Sequence, residues 1–427
     1  MNKKLRIKKK KEIIKNRKLE KLKSQQNEYT FDKVFTLQHF VKVYPKCLLG
    51  VRWKASVQRY ITNSVSKLYN DFLLTKERKL PKPVSDKEVT IYERGKPRTI
   101  TPIHVKDRVT QKVLCDFALV PILSKKLIYD NGASLKGKGV MFSRNRALKH
   151  LYSAVREYGT DFYVLSFDFK NFFDSVPHKT CREILERYIY DKEIIDITMD
   201  VIKSPHRTRI NKIKDKNEKI RMIKMLDNDE LYGICLGSQV SQIMALIIAN
   251  DIDHYIKDVK KCRYYVRYMD DGIVFLKTNN ELIQLHKELK NICDRLGLRL
   301  NDNKTHITKI RKGFTFLKVR YCVTDNGKIV KKLTRKGIVR MRRKLKKFKR
   351  KVDNGEMTLD NVYDSIQSWI AHSKIANSYK TYKSMMKLYN SEYNGYRITK
   401  KWNNIGGKNS ELLQTDKWSK YRWGCIA

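Results

Sequence analysis

The run Tyr268-Met269-Asp270-Asp271 constrains this chain more than any other. It lies between two β-rich stretches, Tyr264-Tyr265-Val266-Arg267 and Gly272-Ile273-Val274-Phe275-Leu276. The pattern reads as strand, tight turn, strand, with two carboxylates presented at the turn. Adjacent anions at a hairpin tip repel each other and gain nothing from core packing. A cation there removes the conflict, and hard oxygen donors suit Mg²⁺. An isolated Asp-Asp is ordinary turn chemistry, because Asp favours turns. Here a matching strand upstream tips the balance.

That strand is Tyr163-Val164-Leu165-Ser166-Phe167, and it delivers Asp168 at its end. Asp174-Ser175-Val176-Pro177-His178 then reads as a helix start, with Asp174 or Ser175 as the cap. A carboxylate at a strand end beside an Asp-Asp hairpin is the minimum kit for phosphoryl transfer on two metal ions. Two Mg²⁺ ions about 3.5–4 Å apart would clamp an attacking 3′-hydroxyl and a leaving pyrophosphate.

Asp168 with Phe173, then Gly237-Ser238-Gln239-Val240-Ser241-Gln242, then Tyr268-Met269-Asp270-Asp271, resembles the palm of a reverse transcriptase in order and spacing. Upstream, Gly95-Lys96-Pro97-Arg98, Pro102 and Lys106-Asp107-Arg108-Val109-Thr110-Gln111 are similar to the fingers of group II intron-type bacterial enzymes. Tyr129-Asp130-Asn131-Gly132-Ala133-Ser134 and Lys136-Gly137-Lys138-Gly139 continue the likeness. Leu300-Asn301-Asp302-Asn303-Lys304-Thr305 and Gly313-Phe314-Thr315-Phe316-Leu317 look like the last two palm motifs. The match covers residues 50–390, roughly. Leu236 stands where the intron-type family usually has Gln, and Gln242 where it has Pro. The Ser-Gln form resembles diversity-generating retroelement enzymes and bacterial unknown-group or defence-associated reverse transcriptases.

The resemblance implies an α+β fold, a right-hand polymerase with fingers, a palm of antiparallel sheet plus helices, and a helical thumb. It implies an RNA-directed DNA polymerase using two Mg²⁺ ions, with Asp168, Asp270 and Asp271 catalytic and Asp168, Phe169, Asp270 and Asp271 as metal positions. Lys304 would protonate the pyrophosphate. Arg98 and Arg108, with Lys96 behind them, would hold the triphosphate. Phe173 would lie under the sugar and exclude a 2′-hydroxyl, so deoxynucleotides are favoured. Gln242 and Ser241 would contact the nascent pair or template, and Gly237 would let it approach closely. Tyr268 would shape the surface beneath the primer end, and Gly313 to Leu317 would grip the primer. Lys136 and Lys138 combine charge with glycines that admit close backbone approach, as a phosphate-contacting loop needs. They lack the Walker pattern.

The net charge is +49, from 93 Lys and Arg against 44 Asp and Glu. Such an excess calls for a polyanionic partner, and nucleic acid is the first candidate. No apolar stretch of about 18 residues, signal peptide or lipidation motif competes for a membrane reading, so cytoplasmic residence is the expectation. The eight cysteines form no Cys-x-x-Cys pair and no zinc spacing with histidine, which points to reduced, mostly buried thiols. His178 and His254 are read as shaping the palm rather than ligating metal.

The chain divides into a basic N-terminal extension (1–55), fingers (56–160), a palm (161–330) with a fingers return at about 182–232, and a helical thumb and tail (331–427). The first 25 residues read as a disordered tail or, the preferred reading, a basic helix that needs its RNA partner to fold. Trp53 could stack on a base, but core packing is the preferred reading. Glu88–Glu93 and Arg98–Thr101 form a hairpin turning at Gly95-Lys96-Pro97. The Lys-rich stretch from Arg207 to Lys224 reads as a charged loop. Residues 331–350 carry a dense basic run that includes Arg342 and Arg343, and read as an amphipathic helix. Further helices follow at 358–372 and from 378. One basic face on three helices would track a duplex backbone, in a salt-dependent and sequence-blind way.

The favoured reading is a reverse transcriptase copying a dedicated structured noncoding RNA into cDNA from dNTPs, in an antiphage defence system. The alternatives are a diversity-generating retroelement enzyme, a template-independent DNA polymerase and a catalytically silent RNA-binding scaffold. Template identity, priming mode and oligomeric state are left open by the sequence.

Overall fold

The computed structural model describes residues 16–17, 20–79, 89–93, 96–100 and 102–397, without the side chains of Glu93 and Lys96. The basic helix expected over the first 25 residues lies mostly outside the described residues, as does the C-terminal tail from 398.

After short helical pieces at 20–26, Asn27–Tyr29 and Phe31–Val34 come helices α1 (Leu37–Cys47), α2 (Ala55–Thr62) and α3 (Ser64–Lys76). A ribbon of β1 (Val89–Glu93) and β2 (Lys96–Ile100) follows, then α4 (Val105–Leu114) and α5 (Val140–Tyr158). β3 (Tyr163–Phe167) leads into α6 (His178–Tyr188), α7 (Lys192–Asn211), α8 (Lys216–Asp227), α9 (Gln239–Ile248) and α10 (Asn250–His254). Next come β4 (Tyr265–Tyr268), β5 (Asp271–Leu276), α11 (Asn279–Leu296) and β6 (His306–Lys309). A three-stranded sheet of β7 (Phe314–Phe316), β8 (Val319–Val323) and β9 (Ile329–Leu333) precedes α12 (Arg335–Asp353), α13 (Leu359–Ser373) and α14 (Tyr379–Tyr393).

The central sheet has the order β4-β5-β3-β6 and its pairs are antiparallel. Side chains on a strand alternate between faces, and here both faces are buried. Leu165, Phe167, Tyr265 and Val274 join one core with residues of α4, α6, α7, α9 and α11. Val164, Val266, Ile273 and Phe275 join a second core with Ala147, Leu151 and Ala154 of α5 and with Phe314, Val319 and Tyr321 of the small sheet. The strands at the acidic motif are therefore pinned from both sides, and a one-residue slip would exchange the two sets.

α11 shows why these helices form where they do. Thr278 and Glu281 make a reciprocal capping box, Gly297 closes the end with φ 70°, and Leu282, Leu285, Leu289 and Ile292 line the buried stripe. The last three helices enclose their own core around Leu345, Val362, Ile366, Met385 and Tyr389.

Several expectations need correction. Lys331, Lys332 and Leu333 belong to strand β9, paired with β8, so the basic helix starts at Arg335 and the boundary set at 330/331 falls inside a strand. The stretch from Arg207 to Lys224 is mostly helical. α7 ends at Asn211, and α8 starts at Lys216, capped by Asp215. Neither Asp174 nor Ser175 caps α6; Pro177 occupies that place, after a short helix over Phe172–Ser175. Lys96 and Pro97 are strand residues, opposite Glu93 and Tyr92. Trp53 is 78% exposed rather than in the core, its indole N–H donating to the Gly50 carbonyl at 3.1 Å. The described cysteines are free thiols, buried or half-buried. Among the described residues no helix is long and apolar enough to cross a membrane.

Candidate active site

Three carboxylates meet where β3 ends and β4 turns into β5. Tyr268 pairs with Asp271, so Met269 and Asp270 alone make the turn, and Met269 has φ 53°. A positive φ at the first turn position is what the right-handed twist of a two-residue hairpin requires. On the neighbouring strand Phe167 pairs with Gly272, which sets Asp168 beside Asp271. An ideal Cβ on Gly272 would lie 2.2 Å from the Phe167 ring, so only glycine lets the ring sit across this strand.

Asp168 is buried and held by the segment after α11. Asn301 N–H donates to the Asp168 carbonyl at 2.8 Å, and Lys170 N–H to the Arg299 carbonyl at 2.8 Å. Lys304 Nζ donates to both carboxylate oxygens of Asp168 at 2.7 Å. The motif Leu300–Thr305 therefore adds one cation to a site of three anions.

The electrostatics follow from that count. Burial pushes the Asp271 carboxyl up to about 7, and the negative charges of Asp270 and Asp168 push the same way. Asp270 is raised first by burial and then by Asp168, while the charges of Lys304 and Arg98 pull it down. A divalent cation would relieve this repulsion, and three hard oxygen donors suit one. Among the described residues no group of three His, Cys, Asp or Glu side chains is arranged to hold a metal ion as it stands. In this geometry Lys304 takes up the oxygens of Asp168.

The anchoring of the turn had no reading in the sequence. Arg267 is fully buried and forms a two-point ion pair with fully buried Asp253, Nε to Oδ1 at 2.7 Å and Nη2 to Oδ2 at 2.6 Å. Its Nη1 donates to the Met269 carbonyl at 2.8 Å. The signal available was a charged residue inside an otherwise apolar strand, which demands a buried partner. Nothing in the local pattern names Asp253 as that partner.

The remaining candidates separate by position. Phe173 is half-buried and packs on the core whose member Phe172 is buried. Ser238, rather than Gly237, opens α9. Its hydroxyl accepts from Ser241 N–H at 3.4 Å and donates to Gln111 at 2.8 Å. Gly237 precedes it with φ 110°. Ser241 is only 2% exposed, which removes its hydroxyl from any direct contact with a template in this geometry. Gln242, one position on, is half-buried. Arg98 is exposed on β2, and its charge reaches Asp270. The Lys96 side chain lies outside the described residues. Arg108 points elsewhere, donating to the Cys47 carbonyl at the end of α1 at 3.4 Å. Lys138 is spent on the loop itself, donating to the Tyr129 and Asn131 carbonyls at 2.8 and 2.9 Å, whereas Lys136 is exposed. Tyr268 is half-buried against both cores. Gly313 has φ 73°, and an ideal Cβ there would lie 2.7 Å from Cys322 Sγ and the Tyr321 carbonyl, so the residue answers a packing need. Arg342 donates to Ser384 at 2.9 Å, and Arg343 is exposed on the same helix. His178 and His206 both lie against the Gly233 carbonyl, at 2.9 and 3.1 Å, and His254 bridges Asp258 and the Lys126 carbonyl.

This geometry has known relatives. Residues 80–321, over half of the chain, match the reverse transcriptase (RNA-dependent DNA polymerase) family, and the chain belongs to it. Its fold is α+β, the right-hand polymerase architecture of that family. The chain is 21% identical over 262 residues to the protein YkfC of Escherichia coli, covering 52% of this chain and 62% of that protein. It is 22% identical over 268 residues to the COX1/OXI3 intron 1 protein of Saccharomyces cerevisiae, covering 50% of this chain and 29% of that protein. It thus spans less than two thirds of either relative. Among solved structures, apo telomerase from Candida tropicalis, truncated from its C-terminal domain, aligns at 15% identity and TM-score 0.40, over 63% of this chain and 60% of that one.

Proposed function

We propose that this protein is an RNA-directed DNA polymerase that extends a primer 3′ end with deoxynucleotides. The observation that carries the reading is the meeting of Asp168, Asp270 and Asp271 at one strand end and one turn, with the proton affinity of Asp270 and Asp271 raised by burial and by neighbouring negative charge. Asp168, Asp270 and Asp271, with the backbone of Phe169, would hold two Mg²⁺ ions. The ions would supply activation of the 3′-hydroxyl and neutralisation of the leaving pyrophosphate.

The chain's own groups do the rest. Arg98, already within electrostatic reach of Asp270, approaches the triphosphate from the ribbon. Lys304 balances Asp168 and has a half-exposed side chain, so it can turn to the pyrophosphate and donate a proton. Phe173 offers the sugar an aromatic face and no acceptor for a 2′-hydroxyl. The exposed cations of α12 meet the backbone of the product duplex, with affinity that falls steeply with salt. We extend the reading, on the residues Leu236 and Gln242, to a dedicated structured RNA as template, a role in antiphage defence and residence in the cytoplasm.

The test is primer extension on an RNA template with Mg²⁺. Template-complementary DNA from dNTPs, with little incorporation of NTPs, supports the reading. Extension that persists when template is omitted favours untemplated synthesis, and no extension under any condition overturns the assignment.

A further inference from the structure

The acidic turn is held by a side chain that never reaches solvent. Arg267 and Asp253 are both 0% exposed, and the guanidinium touches three elements at once. Beyond its paired bonds to Asp253 on α10, Nη2 donates to the Leu246 carbonyl of α9 at 3.0 Å and Nη1 to the Met269 carbonyl at 2.8 Å. Tyr265 O–H donates at 2.6 Å to Asp253 Oδ1, the same oxygen that accepts from Arg267 Nε, and so helps fix the carboxylate. The backbone of Arg267 is clamped as well: its N–H donates to the Asp130 carbonyl at 3.3 Å, and its carbonyl accepts from Gly132 N–H at 3.2 Å.

A buried ion pair is a poor device for stability, since apolar side chains of equal volume often do as well. What an apolar pair cannot do is aim a donor at a carbonyl. The carbonyl in question belongs to Met269, the residue in the left-handed backbone region that sets where Asp270 points. Because Asp253 neutralises the guanidinium, the anchor fixes the turn without adding net charge to the acidic cluster.

We propose that Arg267, fixed by Asp253 and Tyr265, is a positioning residue that sets the direction in which Asp270 and Asp271 present their oxygens to a divalent cation. It also couples the turn to α9, the helix that begins just after Gly237. The inference rests on the metal-binding part of the function proposed above.

The test is a Mn²⁺ titration, followed by electron paramagnetic resonance, on full-length protein freed of nucleic acid. Asp253→Asn keeps the shape and removes the charge. Tyr265→Phe removes one hydroxyl and keeps the packing. The expected result is Mn²⁺ affinity weakened roughly tenfold in Asp253→Asn, the lower end for groups that orient metal ligands, and about threefold in Tyr265→Phe. Circular dichroism and RNA affinity should stay as in wild type. In extension assays both variants should need more Mn²⁺ for half-maximal rate, with an unchanged KM for dNTP at saturating metal. A merely structural role would lower the active fraction and leave the Mn²⁺ affinity of the folded protein unchanged, and that result overturns the proposal. If Asp253→Asn does not fold, Tyr265→Phe decides alone by the same criterion. A wild type that binds Mn²⁺ but copies nothing sinks the functional reading, while the comparison of Mn²⁺ affinities still decides the positioning role.

Discussion

Two hairpins in this protein each close through a two-residue turn and are held in different ways. β4 and β5 close through Met269-Asp270, while β7 and β8 close through Leu317-Lys318, between the paired Phe316 and Val319. Neither turn contains glycine, yet φ is 53° at Met269, 46° at Leu317 and 71° at Lys318. In each a buried arginine donates to the carbonyl of the first turn residue, Arg267 to Met269 at 2.8 Å and Arg144 Nε to Leu317 at 3.0 Å. The difference is the counter-charge. Arg267 is paired with Asp253, whereas Arg144, 6% exposed, has no carboxylate partner among the described residues. Burial lowers the proton affinity of Arg144, and the hydroxyls of Tyr321 and Tyr268 oppose this only in part. The turn that carries the carboxylates is thus locked by a neutral pair, which fixes geometry and leaves the field of the acidic cluster to Lys304 and Arg98. The second turn is held by a cation whose charge is not cancelled.

The comparison can be broken at the chemistry first. Asp270→Asn should reduce primer extension to about a thousandth of wild type or less, the scale on which loss of a preorganised charge acts in a water-poor site. RNA affinity, measured by filter binding, should hardly change. Full activity in this variant would remove the acidic turn from the site.

Stability should then separate the two arginines. Arg267→Met leaves Asp253 buried and unpaired, and should cost about 3–5 kcal/mol in urea unfolding. Arg144→Met leaves only the Leu317 carbonyl without its donor and should cost about 1–2 kcal/mol. Equal losses would show that the counter-charge is irrelevant. A smaller effect is expected at the second turn itself, where Lys318→Gly should stabilise the protein by up to about 1 kcal/mol by removing a side chain from left-handed backbone.

A further effect is a pH dependence. The folded Asp271 carboxyl sits at about 7, above its ordinary 3.8. Well below the ordinary 3.8, folded and unfolded chains both carry the proton, and its stabilising contribution is complete. As pH rises towards 7 the unfolded chain releases the proton first, so the metal-free protein loses stability across that window. Its Tm should fall more steeply between about pH 5 and about pH 7.5 than that of Asp271→Asn.

The legible parts of the fold were those fixed by short-range pattern. Asp270 sits in a tight turn between β-rich runs, Asp271 opens the strand that follows it, and Asp168 ends a buried strand; the acidic hairpin and the strand end both follow from local sequence. The helices that became α13 and α14 carried clear apolar spacing. Where charge density stood in for structure the reading failed. Lys-rich composition hid the start of α8, and the basic run from Lys331 concealed a strand end followed by a helix start. Core packing is the general preference of a tryptophan, yet the Trp53 indole is solvent-facing and hydrogen-bonded to Gly50. The burial of Ser241 and the Arg267–Asp253 pair depend on long-range packing, which no local period encodes. Gly272 lay inside the motif, but the ring of Phe167 that excludes a Cβ comes from another strand.

The most direct measurement is sequencing of the nucleic acid that copurifies with the protein, before and after dNTPs and Mg²⁺ are added, with Asp270→Asn in parallel. The account predicts a discrete RNA and, only in wild type and only after dNTPs, DNA complementary to it. No new DNA in wild type, or the same DNA in Asp270→Asn, would contradict it.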